Sequence, residues 1–233
     1  MALTMNRMSF DERFAALDDD MARFVSKVYS GLTYSLIIAT AVCALSMSAF
    51  EHMEPEARNG AWITLLLMEG ALVLGSIFIR LRGVFGWIFL SAFVAVTGAA
   101  LGPVLLMYQK ASGTATIAAA LGLTATIFLT LSAYVRYSGK DFSYIGGFIW
   151  MATIGLIVSG LALMFFPSPA VSYFRACIGA LIFCGWILYD TSAVTRQYYR
   201  DNNVVGAILA LYVDILNLFM FLLEIFGGNR RRD

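Results

Sequence analysis

The last long apolar stretch of the chain, Val204–Gly228, decides the fold class; it runs VVGAILALYVDILNLFMFLLEIFGG. An α-helix needs about 20 predominantly apolar residues to cross the hydrocarbon core of a bilayer. Six earlier segments meet the same requirement, and charged or turn residues bound each of them. The sequence therefore predicts an all-α, seven-transmembrane-helix bundle, with the six earlier spans near Phe24–Phe50, Ala61–Ile79, Phe85–Tyr108, Thr116–Gly139, Phe142–Phe166 and Arg175–Tyr198.

The composition excludes the soluble classes of protein. Of the 233 residues, 60% are hydrophobic and 13% are charged, whereas soluble domains average about 45–50% and about 25%. The formal net charge of +1 gives no reason to expect a nucleic-acid partner, and the expected partner is the lipid bilayer. The zinc-protease HExxH motif, the GxSxG nucleophile motif and a phosphate-binding loop are absent from the sequence, so neither an enzyme nor a resident cofactor is predicted.

Three parts follow along the chain: an N-terminal cytoplasmic amphipathic segment over 1–22, the seven-helix domain over 23–228, and a basic C-terminal tail over 229–233. The first segment lies on the membrane or against the bundle; the simpler alternative is that it leads directly into the first span. A cytoplasmic N-terminus places most of the 16 Lys and Arg residues on the inner side. Seven crossings then put the tail outside, unless the last segment does not cross fully.

Asp190 and Asp214 are acidic residues well inside the last two spans. A charge at the centre of a membrane helix costs about 2.5–3.5 kcal/mol on insertion scales, so such residues indicate function. Each lies about 12 residues from the middle of the turn near Tyr199–Asn203. In an antiparallel hairpin both aspartates therefore lie at the same depth, about 12–15 Å from the inner membrane surface. Two close carboxyls in a low dielectric cannot both ionise cheaply and would share a proton. The alternative is that each carboxyl only bonds a neighbouring helix and fixes its register.

Other polar residues extend this candidate site. Asn217, one turn from Asp214, is a possible additional ligand for calcium, which prefers six to eight oxygens. Glu69 and Arg80 share one face of the second span, about three turns apart. Arg80 would neutralise an aspartate and hold the site shut, or serve only as an inner-side anchor. Glu69 would line the outer half of a cation path, or bond between helices as a neutral acid, and Glu224 lies near the outer end of the last span.

Aromatic and small residues complete the expectations. Tyr189 and Tyr212 adjoin the two aspartates, where they either hydrogen-bond the carboxyls or pack in the core. Tyr198 is expected in an interfacial aromatic belt. The segment Gly98-Ala-Ala-Leu-Gly102, followed by Pro103, predicts close helix packing and a kink.

The motifs Ile187-Leu-Tyr-Asp-Thr191 and Leu211-Tyr-Val-Asp-Ile-Leu-Asn-Leu-Phe219 are similar to those of the transmembrane Bax-inhibitor-motif family, also called the Bax inhibitor-one family. The resemblance implies six helices around the last one, and a bacterial member of the kind that forms a pH-sensitive calcium leak channel. It implies that Asp190 and Asp214 form the pH sensor, that Arg80 pairs with the first aspartate in the closed form, and that Glu69 lies on the outer path. The family often has Arg where this chain has Glu224, which puts an outer salt bridge to Glu69 in doubt.

These observations predict a calcium-permeable leak channel of the bacterial inner membrane, gated by the aspartate pair, with calcium as the transported ion. One alternative is a non-conducting regulatory protein that binds other membrane proteins, such as a quality-control protease. Another is a proton-coupled cation exchanger. The three differ in whether calcium crosses the membrane and in what drives it.

Overall fold

The computed structural model describes residues 10–78 and 83–228. These residues form seven long α-helices and, within the described ranges, no strand. A 3₁₀ turn, Ser143–Ile145, precedes the fifth of these helices, and a π-helical turn, Val194–Tyr198, follows the sixth. The helices are α1 Phe10–Glu51, α2 Pro55–Phe78, α3 Gly83–Ser112, α4 Thr114–Ser138, α5 Gly146–Phe165, α6 Pro169–Ala193 and α7 Val204–Gly228. All seven are long and apolar enough to cross a membrane, which confirms the predicted fold class.

Two helices begin earlier than their apolar residues indicate, because proline starts them. Helix α2 begins at Pro55 and α6 at Pro169. The fixed backbone angle of proline suits the first turn of a helix, where no N–H partner is needed. In α6 the hydroxyl of Ser168 also accepts a hydrogen bond from the backbone N–H of Val171, at 3.4 Å. The start of α2 lies in the polar stretch Pro55-Glu-Ala-Arg-Asn-Gly60, and that of α6 lies at the end of Pro167-Ser-Pro169, so the apolar pattern alone places both starts too late.

Helix α1 runs without a break from Phe10 to Glu51, over 42 residues. At 1.5 Å per residue it is about 63 Å long, roughly twice the thickness of a hydrocarbon core. The described part of the 1–22 segment is therefore continuous with the first span, as the lead-in alternative predicts. Residues 1–9 and the tail over 229–233 lie outside the described residues.

Helix α7 forms the centre of the bundle and is the most buried of the seven spans. It packs against α1, α3, α4 and α6, while α2 packs against α3 and α5 packs against α6. Large apolar side chains on the outside, such as Leu67, Phe148 and Leu181, are more than two-thirds exposed. An apolar outer surface of this kind suits a bilayer, and it leaves α7 as the element whose polar residues are best shielded from lipid.

Helices α1 and α3 approach closely where the Gly98–Gly102 pattern predicts packing. A Cβ atom added to Gly98 would lie 2.7 Å from the backbone oxygen of Ala39, and one added to Gly102 would collide with Ser46. The Ser46 hydroxyl donates a 2.7 Å hydrogen bond to the Ala99 carbonyl across the same contact. The predicted close packing is confirmed, and the contact fixes α1 beside α3.

Candidate functional site: a buried carboxyl pair

Asp190 and Asp214 meet in the interior of the bundle. Asp190 lies near the end of α6 and is 7% exposed; Asp214 lies in α7 and is 3% exposed. Their carboxyls lie close enough to interact with each other. Two carboxyls can share a hydrogen bond only when one of them carries a proton. The structure thus brings together the two residues that the hairpin arithmetic places at one depth, and their role in sensing pH stays a prediction.

Tyr198 is a third member of the site, although its sequence position predicts an interfacial aromatic belt. Its phenol lies close enough to Asp190 to interact with that carboxyl, and a regular α-helix would place residues eight positions apart about 80° apart around its axis. The π-helical turn Val194–Tyr198 changes the rotation at this point, because π turns hold more residues than α turns. Regular 3.6-residue periodicity carries no signal for such a turn, so Tyr198 resembled an interfacial tyrosine.

The other two tyrosines have partners away from the carboxyl pair. The Tyr212 hydroxyl lies 2.6 Å from the Thr97 hydroxyl on α3, and Tyr212 is 1% exposed. The Tyr189 ring packs edge-on against Trp186, with 5.6 Å between ring centroids. The structure therefore favours core packing for Tyr189 and Tyr212 over contact with the aspartates.

The carboxyl of Asp214 has few polar contacts. Its Oδ2 atom is fully buried and accepts no hydrogen bond from an N–H or hydroxyl group of the described residues. Burying a polar oxygen without a donor is costly. The polar group that interacts with the Asp214 carboxyl is the carboxyl of Asp190. This arrangement makes the free energy of the pair sensitive to a single proton or cation.

The described part of the chain contains no group of three or more His, Cys, Asp or Glu side chains that could hold a metal ion. The pair alone offers two carboxyls to a passing cation. Asn217 is half-buried, and its amide nitrogen donates a 2.8 Å hydrogen bond to the Val213 carbonyl on its own helix. This bond anchors the Asn217 amide on α7. The role of Asn217 as a calcium ligand remains a prediction.

Glu69 lies on α2 and is half-buried. It is near enough to Tyr212 for its charge to act on the phenol of that residue. Glu69 lies on a helix that packs against α3, while Arg80 lies outside the described residues. The predicted pairing of Arg80 with an aspartate has no described geometry.

Glu224 forms an ion pair that the sequence analysis did not identify. The Arg175 guanidinium on α6 donates to Glu224 on α7 at 3.0 Å, and the Ser172 hydroxyl donates to the same carboxylate at 2.5 Å. The side chains of Arg175 and Glu224 are 22% and 24% exposed, and the guanidinium also lies 5.5 Å from the Phe221 ring centroid. Arg175 is about 26 residues and Glu224 about 23 residues from the middle of the turn near Tyr199–Asn203, so equal distance to the turn does not predict this ion pair.

Comparison with known proteins places this geometry in a family. The profile described as "Inhibitor of apoptosis-promoting Bax1" matches residues 21–231. A Vibrio cholerae membrane protein is 36% identical over 205 residues, covering 86% of this chain and 89% of that protein. Protein LIFEGUARD 4 of Arabidopsis thaliana is 31% identical, covering 87% and 83%, and Bax inhibitor 1 of Schizosaccharomyces pombe is 30% identical, covering 90% and 78%. The chain is therefore a multi-pass membrane protein that belongs to the Bax1 inhibitor family, as its two aspartate motifs predicted.

Proposed function

We propose that this protein is a pH-sensitive, calcium-permeable leak channel of the bacterial inner membrane, with a cytoplasmic N-terminus. The observation that carries the proposal is the close pair of Asp190 and Asp214, both buried, one on α6 and one on α7. Ionisable residues inside membrane spans are costly and mark ion pathways or proton relays. Calcium binds preferentially to carboxylate oxygens, so the same two groups that hold a proton would also attract the transported ion.

The proposed gate works through proton occupancy. With one proton, the pair is joined by a hydrogen bond and α6 is held against α7. Without it, two negative charges repel each other in a low dielectric and favour a different packing of these helices. Tyr198 is the ionisable neighbour that interacts with Asp190, through a phenol that can donate a hydrogen bond to a carboxylate. Arg80 would compete with the proton by pairing with an aspartate, which keeps the gate shut.

The weak ligand set suits passage better than storage. Two carboxyls with water and backbone carbonyls leave a divalent ion incompletely coordinated, so it can leave as readily as it enters. Asn217 would add one oxygen on the α7 side. At the outer end, Glu69 would attract cations, and the ion pair of Glu224 with Arg175 would hold the ends of α6 and α7 together.

A second function is a regulator that conducts nothing and binds other membrane proteins, such as a quality-control protease. The length of α1 favours it, because about 63 Å of helix exceeds what a bilayer covers and leaves a free surface at one end. The exposed Asp19 and Asp20 lie on that part of α1. A partner would dock there without any ion crossing the bundle.

Calcium flux separates these functions. Purified protein is reconstituted into liposomes that contain a calcium indicator, and calcium is added outside at a series of pH values. The channel predicts entry down the calcium gradient alone, with a rate that changes with pH. Entry that requires an imposed proton gradient would identify an exchanger instead. Absence of flux at every pH, combined with loss of partner capture when residues 1–20 are deleted, would establish the regulator and refute the channel.

A further inference from the structure

Helices α1 and α4 flank α7 and leave an apolar crevice between them, with a volume of about 550 Å³. Leu36 and Cys43 line its α1 side, Leu121 and Leu129 its α4 side, and Leu216 of α7 its floor. Leu121 and Leu129 are 52% and 65% exposed, so the crevice opens sideways, toward the space that lipid chains occupy. An open apolar volume at this depth is filled by hydrocarbon, because water would find few polar partners there.

A second, polar cavity of about 380 Å³ continues the same gap toward the inner side. Tyr29 lines both cavities, and its ring packs against Phe128 across the gap, with 6.4 Å between centroids. The polar cavity is bounded by the end of α4 and by the π-helical turn after α6. One molecule with an apolar chain and a polar end would therefore span both cavities, with its polarity changing near Tyr29.

Basic side chains surround the polar cavity and are incompletely neutralised. Arg196 pairs with Asp141 and also donates to the Gly139 carbonyl at 3.2 Å. Lys140 donates to the Tyr134 hydroxyl at 3.3 Å, a neutral partner. Within the described ranges, no acidic side chain pairs with Arg136 or Lys140. Among the described residues, the side chains that line this cavity therefore carry net positive charge, next to the apolar crevice.

We propose that this crevice binds one anionic phospholipid of the inner leaflet. An acyl chain lies against α7 in the apolar part, and the phosphate lies beside Arg136 and Lys140. Charge complementarity selects this occupant over a neutral lipid, since each basic residue near an anionic headgroup favours binding. Thr191 and Ser192, which follow Asp190, also line the polar cavity. The bound headgroup therefore lies next to the inner end of the carboxyl pair, and its binding does not require that the protein conduct calcium.

Native mass spectrometry of the detergent-solubilised full chain tests the proposal. Phosphatidylglycerol and phosphatidylcholine are titrated separately, and the bound fraction is measured for each. We expect tighter binding of phosphatidylglycerol, and we expect the Arg136→Gln/Lys140→Gln variant to weaken it about 25-fold, or about fivefold per charge. Lys27→Gln is the matched control, because Lys27 is exposed on α1 at the same side but lines neither cavity.

The apolar part has its own pair of variants. Ala125→Phe fills the crevice, whereas Ala119→Phe adds the same ring to an exposed position of α4 that does not line it. Loss of phosphatidylglycerol in the Ala125 variant alone supports the assignment. Equal binding of the two lipids, an equal loss in Lys27→Gln, or full retention in Ala125→Phe would each overturn it and indicate ordinary boundary lipid. Thermal unfolding of every variant is compared with the wild type, and only variants with the wild-type transition are scored.

Discussion

Arg175→Met tests the ion pair that joins α6 and α7 near the start of α6 and the end of α7. The substitution removes the guanidinium and leaves the Glu224 carboxylate with the Ser172 hydroxyl as its remaining close donor. Breaking a fully buried pair costs about 3–5 kcal/mol. Because the two side chains keep 22% and 24% exposure and the hydroxyl remains, we expect about 2 kcal/mol of destabilisation.

The assay is thermal unfolding of the purified protein in one detergent, followed by tryptophan fluorescence. For a chain of this length, about 2 kcal/mol lowers the melting temperature by about 4–8 °C. Arg200→Met is the matched control. Arg200 is 77% exposed and pairs with Asp201 at 3.4 Å, and exposed pairs of this kind contribute little. We expect no measurable change in that variant.

A double variant completes the test. In Arg175→Met/Glu224→Gln the carboxylate no longer needs a cation, so the second substitution should recover at least half of the lost stability. The reasoning would be refuted if Arg175→Met melted with the wild type. It would also be refuted if the two substitutions destabilised the protein additively, since coupling is what an ion pair predicts.

Three further predictions concern packing and the inner loop. Gly98→Ala should lower the melting temperature because the added Cβ meets backbone, whereas Gly122→Ala on α4 meets nothing within 4 Å and should be neutral or stabilising; equal effects would refute the close helix contact. Tyr212→Phe should cost about 1 kcal/mol by removing the 2.6 Å hydrogen bond to Thr97, measured as a lower melting temperature, and no loss would show that bond to be unimportant. The pKa of Asp141 is lowered, mainly because its carboxylate accepts a hydrogen bond from the Ser143 backbone N–H and also because the Arg196 guanidinium is near. The stability that Asp141 contributes is therefore full above its ordinary pKa of 3.8 and is lost as the pH falls through the lowered pKa. Asp141→Asn should therefore flatten the acid end of the pH–stability curve, and an unchanged curve would contradict this.

The confirmed predictions rest on the lengths of apolar segments and on the free-energy cost of placing a carboxyl in lipid. Helix α7 has the predicted ends, Val204 and Gly228, because charged and turn residues bound its apolar run. The meeting of Asp190 and Asp214 follows from equal distance to one turn, together with the cost of facing carboxyls toward lipid. The length of an apolar segment and the number of residues to a turn can both be counted directly along a sequence.

What the sequence could not provide depends on how helices rotate about their axes. Tyr198 reaches Asp190 through a π-helical turn, and no residue pattern marks the extra residue that such a turn accommodates. The crevice beside Leu121 likewise exists because α1 and α4 both pack on α7. The starts of α2 and α6 were missed for a different reason, since proline caps lie outside the apolar runs.

The pH profile of calcium flux in aspartate variants tests the central claim most directly. Liposomes containing wild-type protein, Asp190→Asn, Asp214→Asn or the control Asp201→Asn are compared across one pH series. Asp201 is the control because it is acidic but exposed, in the turn between α6 and α7. The account predicts that the wild type and the control share a pH-dependent rate, and that each buried substitution abolishes this dependence. Buried variants that keep both the wild-type rate and the wild-type profile would contradict it.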